Sequence, residues 1–268
     1  MNSFVNAKRV VIKVGTSTLT YETGLVNIRR MEKMVKVLSD LANSGRQIIF
    51  VTSGAIGVGA GKLGLRERPN DTPGRQAAAA VGQSELMHLY DNQFLIYNHV
   101  VAQVLLTKDV VDDAFRRRNV VNTFNRLLSL GAIPIINEND TVAVDELEGD
   151  KFGDNDTLSA IVAELVDADA LVIMSDIEGL FDSNPRANSD AKLIPVVTHI
   201  DDYIESIASG TGSNRGTGGM TTKISAARIA EAAGIDMAIV SGENPENLYR
   251  LFDGDAVGTA FLFNRSHT

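Results

Sequence analysis

Gly153-Asp154-Asn155-Asp156 sets three polar side chains behind one glycine and directly ahead of an apolar helical run, Leu158, Ile161, Val162 and Leu165. Carboxylates at a helix start can be caps that favour the dipole, but one acidic residue fills that role and three polar residues exceed it. A second cluster, Asn137-Glu138-Asn139-Asp140, closes the apolar run Ile133 to Ile136. Lys13 sits inside Val11-Ile12-Lys13-Val14-Gly15-Thr16, a stretch that reads as a buried strand. An unpaired lysine there is costly, so it must meet an anion, either a ligand phosphate or a structural ion pair, or reach the strand's end. Lys223 follows the glycine-rich Gly216-Thr217-Gly218-Gly219-Met220-Thr221-Thr222, one turn into a helix, and points either at a phosphate or at solvent. Lysines with glycine-rich backbone suit phosphates, and acidic and amide groups suit a small polar substrate. The pattern predicts a small-molecule kinase.

The nucleotide side has no standard loop. Gly54 to Lys62 resembles a P-loop only in outline: Leu63 follows Lys62, and Ile56 stands where the first glycine is required. No dinucleotide fingerprint is present. Backbone N–H groups at Gly15-Thr16-Ser17 and at Val51-Thr52-Ser53-Gly54-Ala55 can cradle phosphate oxygens, or these are ordinary strand-to-helix turns. On the acceptor side, Asp140 with Asn155 can hold an ammonium and a carboxylate, and Asp156 can orient Lys13 and Lys223 by ion pairing. Asp176 either accepts from a ribose or base or caps a helix. All four histidines (His88, His99, His199, His267) lie outside every motif. Transfer to an alcohol usually wants a general base, whereas a carboxylate acceptor with a pKa near ~4.3 is already ionised at pH 7. Two lysines would then neutralise charge on the transferring group.

These groups need a scaffold, and the periodicity supplies one. Short apolar runs predict strands at Arg9–Val14, Ile48–Val51, Val100–Leu106, Ile133–Ile136, Ala170–Met174 and Met237–Val240. Between them, Ile28, Met31, Met34, Val35, Leu38 and Leu41 recur at helical spacing, with Gly45 as the stop. Helices are also predicted over Gln76–Tyr97, Val120–Ser129, Asn155–Val166, Thr221–Ala233 and Pro245–Phe252. Strands alternating with helices give an α/β fold, a mostly parallel sheet with helices on both faces. Gly15-Thr16-Ser17, Thr52-Ser53-Gly54, Asn137–Asp140 and Ser175-Asp176 each follow the carboxyl end of a predicted strand, the edge at which open α/β sheets bind ligands. Gly210–Gly219, with five glycines, is expected to be a mobile loop, and a short hairpin from Thr141 to end at Gly149–Gly153.

Composition removes several function classes. A 268-residue chain can bury a sizeable core. A net charge of -9 argues against nucleic acid, whose backbone needs a basic face. The one basic cluster, Arg116-Arg117-Arg118, lies among Asp109, Asp112 and Asp113 and reads as a solvated, ion-paired face. The absence of cysteine excludes disulfides, thiolate metal sites and cysteine nucleophiles. Lys8-Arg9 interrupts any signal-peptide core, and no apolar run approaches the ~18 residues of a membrane span. A cytoplasmic protein with no membrane partner is expected.

Together these motifs resemble the amino acid kinase superfamily, and within it the kinases that act on the side-chain carboxylate of glutamate. The resemblance runs over essentially the whole chain. Its carriers are Ile12–Ser17, Val51–Ile56, Ile136–Asp140, Phe152–Asp156 and Gly216–Lys223. It implies an eight-stranded αβα sandwich, ATP and Mg2+ as cofactors, L-glutamate as substrate, and phosphorylation of its γ-carboxylate as the first step of proline synthesis. It assigns ATP to Lys13, Gly15, Ser175, Asp176, Thr217, Gly218, Gly219, Met220, Thr221, Thr222 and Lys223. It assigns the substrate to Ser53, Gly54, Ala55, Asn137, Asp140, Asn155 and Asp156. Lys13, Lys223 and Asp156 are the implied catalytic group, and no residue is implied as a metal ligand. Feedback inhibition by proline, a homo-oligomer (dimer or tetramer) and a γ-glutamyl phosphate reductase as partner are further implications. Many members carry a carboxyl-terminal RNA-binding-like domain called PUA; here a single kinase domain over residues 1–268 is expected.

Three other readings compete. A sister kinase would act on N-acetylglutamate, aspartate or carbamate, but an N-acetylated substrate has no ammonium and would leave Asp140 without a purpose. An inert amino-acid sensor would show loss of a lysine or of Asp156. A nicotinamide oxidoreductase would need a glycine fingerprint.

Overall fold

The computed structural model describes residues 2–21, 25–142, 154–185, 187–209 and 219–263. The hairpin expected to end at Gly149–Gly153, most of the Gly210–Gly219 loop, and the site residues Thr217 and Gly218 lie outside the described residues. In chain order the elements are α1 (Asn2–Asn6), β1 (Arg9–Val14), α2 (Thr16–Leu19), α3 (Ile28–Asn43), β2 (Gln47–Val51), α4 (Ala55–Lys62), α5 (Thr72–Leu95), β3 (Val101–Leu106), α6 (Lys108–Asp112), α7 (Ala114–Ser129) and β4 (Ile133–Glu138). There follow α8 (Asn155–Leu165), β5 (Ala170–Ser175), β6 (Val196–Val197), α9 (Asp202–Ser209), α10 (Met220–Ala233), β7 (Asp236–Ser241), α11 (Asn247–Asp253) and β8 (Thr259–Phe261). The eight strands form one sheet in the order β3-β4-β2-β1-β5-β7-β8-β6. The pairings β2–β4, β3–β4, β5–β7 and β6–β8 are parallel, and β7–β8 is antiparallel. The expected α/β class with a mostly parallel eight-stranded sheet is thus observed.

The chain divides into two compact units, 14–153 and the discontinuous 1–13 with 154–268. In the contiguous unit, β2 and β4 are buried along nearly their whole length, as apolar strands covered by helices must be. Phe50 packs edge-on against Tyr90 of α5, ring centroids 5.3 Å apart, and the Tyr90 hydroxyl shares a 2.8 Å hydrogen bond with the buried Thr52 hydroxyl. Burial pushes the Tyr90 phenol well above its ordinary pKa, so it stays neutral. Helices α4 and α5 touch backbone to backbone. A Cβ on Gly59 would lie 1.8 Å from the Ala78 carbonyl oxygen, and one on Gly82 would lie 1.8 Å from that of Ala55.

In the discontinuous unit the first strand is pinned at its start. The Asp169 carboxylate accepts from the backbone N–H groups of Lys8 and Arg9, each at 2.8 Å, and the Arg9 guanidinium donates to the Val166 carbonyl. Ala226, Ala227 and Ala230 of α10 are fully buried, which gives that helix a flat packing face. Thr259 of β8 is fully buried, accepts from the Leu180 N–H at 2.8 Å and donates to the Ile194 carbonyl at 2.7 Å. These two hydrogen bonds fasten the long connection after β5 to the last strand. Among the described residues, no helix is long and apolar enough to cross a membrane.

Several elements escape the periodicity. α4 carries three glycines in eight residues, which intrinsic propensity disfavours, but the close approach to α5 demands the middle one, Gly59. α7 begins at Ala114 rather than Val120, because the Asp113 carboxylate accepts from the Arg116 N–H at 2.8 Å and caps a polar first turn. β6 and β8 are two and three residues long, too short for an alternating pattern. β4 runs two residues beyond Ile136, with Asn137 opposite Leu105 and Glu138 opposite Leu106. The arginine cluster behaves as expected: Arg116 pairs with Asp109, and Arg118 lies 5.5 Å over the Phe115 ring.

Candidate active site

The discontinuous unit gathers the charged centre. Lys13, next to last on β1, is buried, and its Nζ lies 2.7 Å from Asp156 Oδ1. Lys223, in the first turn of α10, is also buried and donates from Nζ to Asp156 Oδ2 at 3.1 Å. The Thr222 hydroxyl lies 2.8 Å from the same Oδ2 and 2.8 Å from the Gly219 carbonyl. Asp156 itself is 1% exposed. Burial alone would raise its pKa, but Lys13, Lys223 and the hydrogen bonds from Lys13 and Thr222 outweigh it, bringing the carboxyl down to about 2. One carboxylate therefore holds two ammonium groups, from residues 143 and 67 positions away along the chain.

The three polar residues at the α8 start divide their tasks. Asp154 is the cap: its Oδ1 accepts from the N–H groups of Asp156 and Thr157, each at 2.9 Å, and its Oδ2 accepts from the Thr157 hydroxyl at 2.7 Å. Burial raises its pKa against those bonds. With the cap supplied by Asp154, Asp156 is freed to face the lysines. Asn155 lies between them, half-buried. Gly219 precedes helix α10, is extended and offers no side-chain cap. The positive end of the helix dipole lies beside Lys223, and such an end suits an anion. Ser175 ends β5, buried, and donates to Asp176 Oδ1 at 3.2 Å. Asp176 is exposed and opens a loop rather than a helix, so it caps none.

The contiguous unit carries the other candidates. Gly54 adopts φ +100° ahead of α4, a left-handed conformation that glycine tolerates. Ser53 beside it donates to the Val14 carbonyl and accepts from the Thr16 hydroxyl, both at 3.2 Å, which ties the turn after β2 to the turn after β1. Gly15 starts α2 without a side-chain cap, and Ala55 opens α4, buried. Asn137 is 2% exposed inside β4, and its Nδ2 donates to Gln83 Oε1 at 2.9 Å. Asp140 follows the strand, half-buried. Burial pushes its carboxyl up to about 6, against the pull of Arg75 and then Arg68. Neither arginine belongs to a motif singled out in the sequence; only the fold brings them to Asp140.

Residues 8–241 match the amino acid kinase family. The chain is 54% identical over 258 residues to a glutamate 5-kinase of Clostridium perfringens, covering 96% of each. It is 54% identical to a glutamate 5-kinase of Listeria monocytogenes, covering 97% of this chain and 94% of that one. It is 52% identical to one from Moorella thermoacetica, covering 98% of this chain and 69% of the longer relative. Among solved structures it resembles a UMP kinase from Bacillus anthracis, with a TM-score of 0.66 at 19% identity and 97% of both chains covered. It also resembles an isopentenyl phosphate kinase of T. acidophilum, with a TM-score of 0.61 at 16% identity, covering 94% and 99%. At such identities the two structures speak for the fold alone.

Proposed function

The chain belongs to the amino acid kinase family, and from that premise we propose that it transfers the γ-phosphoryl group of ATP to the γ-carboxylate of L-glutamate. The product is γ-glutamyl phosphate, in the first step of proline synthesis. The observation that carries this reading is the buried Lys13–Asp156–Lys223 centre. A family kinase uses ATP, and the uncapped start of α10 beside Lys223 suits its phosphates. Asp156 holds both ammonium groups in place. An ammonium is a three-donor cation, a type of group that suits oxygens gaining charge during transfer. The attacking carboxylate is ionised at neutral pH, which agrees with a centre that contains no histidine.

Mg2+ belongs to the same proposal. Among the described residues no group of three or more His, Cys, Asp or Glu side chains is gathered for a metal ion. A magnesium ion would be carried to this site with the nucleotide, and there it would supply charge neutralisation. Proline feedback, a homo-oligomer, hand-over to a γ-glutamyl phosphate reductase and a cytoplasmic setting are proposed with it.

A hydroxylamine trap for acyl phosphate tests the reading. Purified protein with magnesium-ATP should form hydroxamate from L-glutamate in clear preference to N-acetylglutamate or aspartate. A preference for N-acetylglutamate would overturn the substrate assignment. Proline added to the same assay reads the proposed feedback.

The Asp140 carboxyl gives that assay a pH signature. Its pKa is raised to about 6, so it is increasingly protonated below that pH. An ammonium ligand binds the ionised form and must displace the proton. KM for glutamate is therefore expected to rise by up to about tenfold per pH unit below 6. In the free protein the linkage has the sign of a raised pKa. The stability contribution is present below the unfolded value near ~3.9 and is lost as pH rises through about 6. Asp140→Asn should raise KM for glutamate at pH 7 by about tenfold or more and flatten the acid limb, while leaving KM for ATP in place. An unaltered acid limb in that variant would remove Asp140 from ammonium binding.

A further inference from the structure

We propose that Arg75 is a specificity-determining residue for the acceptor: its guanidinium takes the α-carboxylate of the amino acid whose ammonium goes to Asp140. This rests on the acceptor reading above and deepens it.

The placement follows from how α5 is fastened. Gln83, mid-helix and buried, accepts from Asn137 Nδ2 of β4 at 2.9 Å and donates from Nε2 to Gln103 Oε1 of β3 at 3.0 Å. This amide chain fixes α5 along the sheet in both rotation and register. Arg75 lies eight residues before Gln83, about 12 Å toward the helix start and within about a quarter turn of the same face. Asp140 lies three residues after Asn137, about 10 Å beyond the amide contact in the direction of the strand. Both displacements lead to the carboxyl edge of the strands, where Arg75 is the foremost cation acting on Asp140 and Arg68, from the segment before α5, the second. The two ends of the lock thus deliver a cation and an anion to one place.

The chemistry of the substrate class gives that pair a purpose. An α-amino acid presents an ammonium and a carboxylate on one carbon. A lone aspartate recognises any amine. An aspartate with an arginine alongside recognises the zwitterion, because the guanidinium fork matches a carboxylate in two parallel hydrogen bonds. Asp140 lies deep enough for burial to outweigh both arginines in setting its protonation, so a ligand charge is read there in a partly dehydrated setting. A ligand lacking either charge leaves one protein group unmatched, which is how a polar site rejects an incomplete substrate.

The test uses 4-aminobutyrate, which is glutamate without its α-carboxylate, and follows each ligand by its kcat/KM or, where turnover is slow, by its inhibition constant against glutamate. In the wild-type protein glutamate should be preferred by about 10²-fold or more. Arg75→Gln should shrink that preference at least about tenfold by raising KM for glutamate, with KM for ATP and the affinity for 4-aminobutyrate little changed. Arg75→Lys, which keeps the charge without the fork, should recover part of the preference. A folding defect would lower both ligands and ATP together, and equal losses on both ligands overturn the proposal. Wild-type protein that makes no hydroxamate from glutamate would instead defeat the functional reading. Wild-type activity with an unchanged preference in Arg75→Gln defeats this inference alone.

Discussion

Asp156→Asn is expected to abolish most activity and to destabilise the fold in one step. The substitution keeps the shape and removes the carboxylate bonded to both buried ammonium groups. Two lysines, with side chains 10% and 6% exposed, would then face each other without the anion between them. Breaking a buried pair by removing one partner costs about 3–5 kcal/mol, and the lysines can escape only by losing protons or shifting. Either response misplaces the charge that stabilises transfer, so kcat should fall by about 10²–10³-fold or more. The pH dependence of stability supplies an independent signature. The Asp156 pKa is depressed in the fold to about 2, so its contribution is present above the unfolded value near ~3.9. It is lost as pH falls through about 2, and the variant should lack that component of acid destabilisation. Urea melts at several pH values with steady-state kinetics decide the matter. Retention of kcat within a few-fold would remove the lysine–aspartate centre from the chemistry.

Gly82→Ala is expected to cost more than about 4 kcal/mol or to prevent folding, although helix propensity alone would make it stabilising by about 1 kcal/mol. The added methyl would sit 1.8 Å from the Ala55 carbonyl oxygen and 2.5 Å from the Gly59 N–H nitrogen, both backbone atoms that cannot rotate away. Relief requires α4 and α5 to separate, which moves the Ser53-Gly54-Ala55 turn at the head of α4. Gly57→Ala is the matched control. It lies in the same short helix, a Cβ there meets nothing within 4 Å, and it should stabilise by about 0.5–1 kcal/mol. Opposite signs in urea denaturation are expected, and equal, small effects at both positions would mean that the helices do not meet at Gly82.

The sequence made the charged centre legible because burying a lysine is expensive. Lys13 in an apolar strand required an anion, and Asp156 is found 2.7 Å away. The crowding at Asp154-Asn155-Asp156 was readable for a similar reason, and the structure assigns the cap to Asp154 and the pairing to Asp156. Long periodic helices such as α3 were also visible, since their apolar faces have enough turns to repeat. What stayed hidden depends on partners distant in sequence. α4 needs Gly59 for the backbone of α5, which local propensity cannot register. Asn137 reads only as one member of a polar cluster until Gln83, 54 positions earlier, is placed against it. Arg75 has no local oddity at all. Its significance lies in the register of α5 against β4.

The discontinuity of the lysine-bearing unit has a temporal consequence. Residues 14–153 are made in one stretch and can close on themselves as soon as they are synthesised. The first strand belongs to the other unit, and its anchors are Asp169 for the backbone and Asp156 for Lys13. Neither exists until more than 140 further residues have been added. During synthesis an otherwise apolar strand with two cationic residues, Arg9 and Lys13, must therefore wait without its sheet neighbour β5 or its counter-ions. Closing so long a loop costs chain entropy before any contact offsets it, and contacts of this separation are the slow ones in folding. The same three side chains that are read here as chemistry are thus among the last to meet, and a chain truncated before Lys223 has no complete charged centre to assemble.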